Sequence, residues 1–471
     1  MRTYAALGIA FALGACALAP PPERAALRKD AMPNVAVPAS YATPGSRDGA
    51  VTQAWLAGFH DPGLDALVRE AIAYNADLRA AQARVEQAAA YLQASGSLLY
   101  PQVNILARGG GKMSDSSGLS GVGLYANWEL DLWGRVRAGQ AFAGQQYESA
   151  ELDAEYARQS IAALVAKGWF LATEARMQKA QATAMRESSE KLVGFAQDRL
   201  RVGRGDEFDV ATAQANVATL RDTERSLDAS YTQALRALEV LVGRYPAAAL
   251  AVPPTLAQWP GDVPVGLPSE ILERRPDVVA AERRVAGAFY RTEEAKAARL
   301  PRITLTVNLT SISSELFVLK SHDNPVVSFG AGLLQPVFLG GQLQAQVDVR
   351  TAEQKQAIAD YGRVGSRAFA EVEDSLSNGF ALADREAILA TAVRENARGL
   401  DLAAVRFRVG SGDLRGVQQQ QLALYSAQAA LLRVQADRLI QSVNLHLALG
   451  GSFDAPPPDA LSSGGPIVPP R

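Results

Sequence analysis

The chain has 471 residues, a formal net charge of -2 and a hydrophobic share of 48%. A balance so near neutral gives no basic field for nucleic acid, and a mean hydropathy of -0.03 is too polar for a helical membrane protein. Beyond the first residues there is no apolar run of roughly 18, so any crossing of a bilayer has to use strands.

The N-terminus carries the first signal. Arg2 precedes an apolar stretch, residues 4–15, that is too short to span, and Leu13-Gly14-Ala15-Cys16 follows. Cys16 is the single cysteine, which excludes a disulfide within one chain. The order resembles the lipobox of bacterial lipoproteins. It implies a signal peptide over 1–15 and a diacylglycerol and N-acyl lipid on Cys16 that hold the new N-terminus in a leaflet. The alternative is an ordinary secretory signal with an uninvolved cysteine. Ala17 in place of Asp favours the outer membrane by the same resemblance. Residues 16–60 read as a lipidated tether, rich in Pro, Ala and Ser to about residue 50 and with little structure of its own.

An internal repeat organises the rest. Asn75-Ala76-Asp77-Leu78-Arg79-Ala80-Ala81 recurs as Arg275-Pro276-Asp277-Val278-Val279-Ala280-Ala281, and Pro101 falls on Pro301, both at an offset of 200. Arg199-Leu200-Arg201-Val202-Gly203-Arg204-Gly205-Asp206 recurs as Arg406-Phe407-Arg408-Val409-Gly410-Ser411-Gly412-Asp413 at an offset of 207, as does Gly243 as Gly450. The chain is therefore a tandem duplication. Residues 61–260 form a first repeat, 261–450 a second and 451–471 a flexible tail.

Each repeat reads helix, strand pair, very long helix, turn, second helix. A helix is expected from about Pro62 to Leu98, halted by Pro101. Period-two alternation follows: Val122, Leu124, Ala126, Trp128, Leu130 and Leu132 alternate with Gly123, Tyr125, Asn127, Glu129 and Asp131. From about Val136 to Leu200 the sequence is Ala-rich and free of proline, roughly 97 Å of helix at ~1.5 Å per residue. Gly203 suits a left-handed helix end and Asp206 an N-cap, so the next helix folds back as an antiparallel hairpin. The second repeat gives a helix over about Leu267 to Ala298. Ile303, Leu305, Val307 and Leu309 then alternate with polar residues, a long helix runs from about Leu343 to Phe407, and a turn uses Gly410 and Asp413.

The strand pattern fits a soluble hairpin or, with its length of ~9–11 residues, a lipid-facing barrel strand. Four strands cannot close a barrel around an open lumen, and open edges in lipid leave backbone groups unpaired. Either the strands stay out of the membrane or several chains share one barrel; three copies would supply twelve strands. Helices of such length suggest coiled-coil tubes or bundles.

Trp128-Glu129-Leu130-Asp131-Leu132-Trp133-Gly134-Arg135, Gly266-Leu267-Pro268-Ser269-Glu270 through Arg274-Arg275-Pro276-Asp277, and the two Arg-x-x-x-Gly turns resemble the TolC-like outer-membrane efflux proteins. The similarity is to the lipoprotein branch of the OprM/NodT type, which serves resistance-nodulation-division pumps, and it covers about residues 50 to 450. It implies a mixed α and β membrane protein: a homotrimer whose 12-stranded β-barrel lies in the outer membrane and is continued by a long α-helical coiled-coil barrel in the periplasm. It further implies a periplasmic membrane-fusion adaptor and an inner-membrane pump of the resistance-nodulation-division type as partners, with no cofactor, no catalytic group and no nucleic acid. By this resemblance the turns Val202, Gly203, Gly205, Asp206 and Val409, Gly410, Gly412, Asp413 dock the adaptor. The same resemblance puts Gly416 and Gln419 at the tip constriction. Many relatives carry aspartate where Gln419 stands within Gln418-Gln419-Gln420-Gln421, so a fully charged gate is in doubt; a solvated helix face with interhelical hydrogen bonds is the alternative.

Other signals point to no chemistry. His60, His322 and His446 lack metal-ligand spacing, Gly109-Gly110-Gly111-Lys112 lacks the pattern of a phosphate loop, and Glu129 and Asp131 are expected to line a lumen from the polar face of a strand. The leading expectation is a passive exit duct for drugs or other small toxic compounds. A type I secretion or metal-efflux duct shares the architecture, and a periplasmic coiled-coil scaffold without a pore is the rival of another class.

Overall fold

The computed structural model describes residues 18–45, 47, 49–108, 119–314 and 326–454. Cys16, His322 and Gly109–Lys112 lie outside them. The chain divides into two compact units that cut across the repeats: one draws on residues up to 35, 81–154 and 277–366, the other on 36–80, 155–276 and 367 onward.

In chain order the elements are α1 (Arg24–Ala31), α2 (Pro62–Tyr74), α3 (Ala76–Ser97), β1 (Gln102–Arg108), β2 (Leu119–Leu130), α4 (Arg135–Arg201) and α5 (Glu207–Leu241). The second half adds α6 (Ile271–Arg274), α7 (Pro276–Ala297), β3 (Arg302–Ser314), β4 (Val326–Leu334), α8 (Gln342–Arg408) and α9 (Leu414–Ala448). The long helices α4 and α8 have 67 residues each, and α5 and α9 have 35 each. Among the described residues α3, β1, β2, α4 and α5 have counterparts in α7, β3, β4, α8 and α9, while the 13-residue α2 is matched only by the four-residue α6 and α1 has no counterpart.

The expected single helices at the start of each repeat are broken. Asn75 adopts an extended conformation between α2 and α3. Its side-chain oxygen accepts from Asp77 N and Leu78 N at 2.9 and 3.1 Å, which caps α3. In the second repeat Arg275 is extended because Pro276 follows it. The N-terminal segment also departs from an unstructured tether. Residues 24–31 form α1, whose Leu27 is buried and whose Arg24 pairs with Glu282 at 2.8 Å. Tyr41, Trp55 and Phe59 are buried further along. These few apolar residues lack a helical or strand period, so periodicity does not register them.

The first unit carries the sheet, a four-stranded antiparallel meander in the order β1-β2-β3-β4. Its pairs run from Gln102↔Asn127 to Arg108↔Gly121, from Leu119↔Ser314 to Leu130↔Ile303, and from Arg302↔Leu334 to Thr310↔Val326. Ile105 and Leu106 point to opposite faces of β1, yet both are exposed, and β4 is exposed throughout. Within the single chain both faces of these strands therefore stay open.

The second unit holds a continuous apolar core in which Trp55, Phe59, Leu64 and Val68 pack with Val165, Phe170, Leu238 and Val443. Its roots repeat. Asn75 Nδ2 donates to Leu241 O at 2.8 Å, while the buried Arg275 donates through Nη1 to Ala448 O at 3.3 Å and to Glu371 Oε2 at 2.6 Å. Gly243 and Gly450 sit beside these joints. A Cβ on Gly243 would stand 2.9 Å from Tyr74 O, and one on Gly450 would stand 3.3 Å from Arg275 Cα. The same helix end thus closes on the same helix start in both halves.

Candidate functional site

Three places gather the residues singled out in the sequence: the hairpin turns, the glutamine run of α9, and the junctions where strands become long helices.

The turns are built alike. Gly203 has φ +70 and Gly410 φ +79, in the left-handed region where a side chain strains the backbone. Behind them Arg204 N donates to Arg199 O at 2.8 Å and Ser411 N to Arg406 O at 2.9 Å, the reversed bond that ends a helix. Asp206 Oδ1 then accepts from Asp209 N, and Asp413 Oδ1 from Gly416 N, each at 2.8 Å, capping α5 and α9. Gly205 and Gly412 are needed for another reason: a Cβ there would meet Arg199 Cβ at 3.1 Å and Arg406 Cβ at 3.0 Å. Val202 and Val409 stand exposed beside the turns.

The two tips touch each other through paired cation–π contacts. The Arg199 guanidinium lies 5.1 Å from the Phe407 ring centroid, and that of Arg415 lies 4.7 Å from Phe208. Phe208 and Arg415 are the same repeat position. The duplicated site has diverged into an aromatic and a cation that face one another. No motif flags these residues; the offset of 207 applied two residues past Asp206 would have found them.

The glutamine run is split by helix geometry. Gln418 Oε1 accepts from Asn216 Nδ2 at 3.2 Å, and Gln421 donates to Ser188 Oγ; both glutamines are buried. Gln420 comes within 2.8 Å of where a Cβ on Gly399 would be. Gln419 alone of the four is exposed.

Above the tip, ion pairs clasp α4 to α5. Arg186 bridges Glu190 and Glu224 at 2.8 Å each, Arg221 reaches Glu190 at 2.9 Å, and Lys179 pairs with Asp228. Hydrogen bonds from Arg221 and Arg186 hold the Glu190 carboxyl below its usual range, and those from Thr183 and Arg186 do so for Glu224 against the cost of burial. In the second hairpin Arg438 and Gln435 both reach Glu386, at 2.7 and 3.2 Å, and join α9 to α8.

At the first strand-to-helix junction Glu129 stands in β2 as expected, whereas Asp131, expected on the polar face of the same strand, lies just beyond it. β2 stops at Leu130, and the Asp131 carboxylate accepts from Val136 N and Arg137 N at 3.0 and 2.9 Å as the N-terminal cap of α4. Glu129 is held by Arg135 at 2.9 and 2.8 Å. Trp128 Nε1 donates to Leu99 O at 2.9 Å and Trp133 Nε1 to Pro301 O at 2.7 Å. Period-two alternation hid this role, because Asp131 stands four residues before Arg135 and not at the position immediately before the helix where a capping residue is sought.

Among the described residues no group of three or more metal-ligating side chains gathers, and no helix is long and apolar enough to cross a membrane. A sequence profile described as outer membrane efflux protein matches residues 67–244 and 267–451. The matches begin 200 residues apart and end 207 apart, the offsets of the repeat. The chain is similar to the pyoverdine export outer membrane protein OpmQ of Pseudomonas aeruginosa, 31% identical with 97% of this chain and 98% of the relative covered. It is similar to the cation efflux system protein CusC of Escherichia coli K12 at 27% identity, covering 94% and 98%. The open-state structure of the MtrE outer membrane channel of Neisseria gonorrhoeae superposes with a TM-score of 0.79 at 29% identity, covering 89% of this chain and 96% of that one. With its helical hairpins, four-stranded sheet and doubled profile match, the chain belongs to the outer membrane efflux protein family, as a channel component of an efflux system.

Proposed function

We propose that three copies of this chain close one twelve-stranded barrel in the outer membrane and form a passive exit duct for small toxic organic compounds. An inner-membrane pump of the resistance-nodulation-division type drives the cargo, a periplasmic adaptor couples the two, and the chain contributes no catalysis. The observation that carries this reading is the open sheet. Among the described residues β1 and β4 are the two outer strands of the sheet, each paired on one side, and four strands have no way to satisfy both edges in lipid alone. The pyoverdine-export relative supports an organic cargo. A cation cargo is the second reading, favoured by the similarity to CusC.

The exposed Val202 and Val409, on turns of one geometry, support adaptor docking at Val202, Gly203, Gly205 and Asp206 and at Val409, Gly410, Gly412 and Asp413. Gly416 and Gln419 are assigned to the tip constriction because Gln419 is the glutamine left uncommitted within the chain. Cys16 is assigned the lipid, and an intact mass of the mature N-terminus without acyl chains would remove that assignment.

The decisive measurement is made on detergent-extracted full-length protein. A three-subunit mass and discrete conductance steps in planar bilayers are expected. A monodisperse single subunit without conductance would instead support a scaffold. Complementation of a host lacking its own exit duct, scored against organic toxicants and against copper or silver salts, separates the two cargo readings.

A further inference from the structure

Helices α8 and α9 are tied at two levels and left apart between them. Gln441 Nε2 donates to Ser375 O at 3.1 Å, and Arg438 Nη1 donates to Glu386 Oε2 at 2.7 Å. Between those ties α8 presents Gly379 and Ala383, one turn apart on one face. A glycine inside a helix weakens it, and packing does not require this one, since a Cβ on Gly379 would meet nothing within 4 Å. The result is a cavity of about 80 Å³. Leu376 and Leu445 are buried at its floor, Trp259 and Val263 form walls, and the exposed Phe380 stands at its mouth. All of its lining belongs to the second compact unit.

Two hydrogen-bond donors in this lining are left over. Ser442 is 3% exposed, and its Oγ has no partner among the protein atoms. A buried hydroxyl inside a helix can give its proton to the carbonyl four residues back, as Thr173 does to Trp169 O at 2.8 Å. Ser442 does not. One turn earlier the Arg438 guanidinium lies 4.0 Å from the Trp259 ring centroid, and its Nε is likewise buried and unpartnered. Donors left in this way cost stability, and a ligand oxygen would satisfy them. The charges around the cavity cancel: Arg438 is paired with Glu386, and Arg47 and Asp262 at the mouth offset one another. An ionised ligand would lose its hydration there with no opposite charge in surplus.

We infer that this cavity binds one small uncharged organic molecule. Its apolar body of a few carbon atoms sits on Leu376, Leu445 and Trp259, and one hydroxyl or carbonyl oxygen accepts from Ser442 Oγ and Arg438 Nε. The size agrees, because the space is several times the roughly 10–15 Å³ that a single water needs and is too small for a fused polycycle. Gly45 and Arg47 of the N-terminal segment also line the cavity. A molecule bound there touches that segment, α8 and α9 together and stabilises their packing by mass action.

The site is independent of the duct and of what the duct carries. Cyclohexanone is titrated against full-length protein in detergent and followed by saturation-transfer NMR, with empty micelles as the blank. Saturable binding is expected for the unmodified protein. Gly379→Leu, whose added side chain occupies the cavity, should abolish it with subunit mass and helical signal unchanged. Ser442→Ala should weaken it about 2- to 10-fold, the worth of one neutral hydrogen bond; this loss of one oxygen carries the test should the larger substitution not fold. Cyclohexanecarboxylate, the same body with a full charge, should bind more weakly than the ketone. A signal no greater than that of empty micelles, or saturable binding that survives Gly379→Leu, overturns the site. Equal affinity in Ser442→Ala overturns the seat of the ligand oxygen, and tighter binding of the carboxylate overturns the uncharged ligand.

Discussion

His446 makes the core of the second unit sensitive to acid. The ring is 4% exposed, stacks on Trp55 with centroids 5.6 Å apart and planes 13° from parallel, and its Nδ1 finds no hydrogen-bond partner among the protein atoms. Burial pushes its pKa down from 6.5 to about 4. The folded state thus resists taking up a proton that the unfolded chain accepts near 6.5. Stability is full above that value, erodes as pH falls below it, and stops eroding once pH passes below about 4. The full loss is roughly 3 kcal/mol per subunit, and at pH 5 it is already about 2 kcal/mol. His446→Phe keeps an aromatic ring on Trp55 and removes the titration. Denaturant or thermal unfolding of both proteins should show nearly equal stability changes between pH 8 and 7, and a fall from pH 7 to 5 that is about 2 kcal/mol larger in the unmodified protein. Carboxylates common to both cancel in that difference. Equal losses in the two proteins would refute the reasoning, because they would mean that His446 is already hydrated or charged in the folded state.

Three further outcomes are expected. Gly410→Val should weaken co-purification with the cognate adaptor more than Gly410→Asn, since a β-branched residue resists the φ of +79 that asparagine tolerates; equal binding with the assembly intact removes the turn from the interface. Asp131→Ala should cost about 0.5–2 kcal/mol through loss of the α4 cap, with Asp131→Asn much milder; an unchanged melting temperature for the alanine variant would contradict the cap. Gln419→Asp should raise cation selectivity and block by multivalent cations from the periplasmic side in single-channel recordings, because carboxylates crowded at one constriction attract cations; no change would put the gate elsewhere.

The sequence made the long elements legible because nothing in them competes. Proline-free, Ala-rich stretches fold as α4 and α8 within a residue of the expected ends, and the two glycine–aspartate turns fall where left-handed and capping residues stand. The breaks at Asn75 and Arg275 were less visible, since each lies inside an apolar period and betrays itself only by a capping side chain or a following proline. Asp131 was misread because it continues the strand alternation and stands four residues before Arg135, away from the position where a cap is sought. The reciprocal contacts of Arg199 with Phe407 and of Phe208 with Arg415 join residues of different repeats. Such pairs are set by packing between hairpins and have no local pattern to announce them.

The clasps between α4 and α5 have a kinetic meaning. Their partners lie 31, 38 and 49 residues apart, for Arg221–Glu190, Arg186–Glu224 and Lys179–Asp228. The root contact of Asn75 with Leu241 spans 166 residues. Closing that loop from an open chain costs roughly 4–5 kcal/mol of chain entropy. Zipping from the turn instead lengthens each loop by only about ten residues per rung, and it sets Leu238 beside Gly168 before Asn75 has to meet Leu241. The tip is then the start of folding and the root its completion. Substitutions near Gly203 should act on how fast a subunit folds, and those around Gly243 on how fast it comes apart.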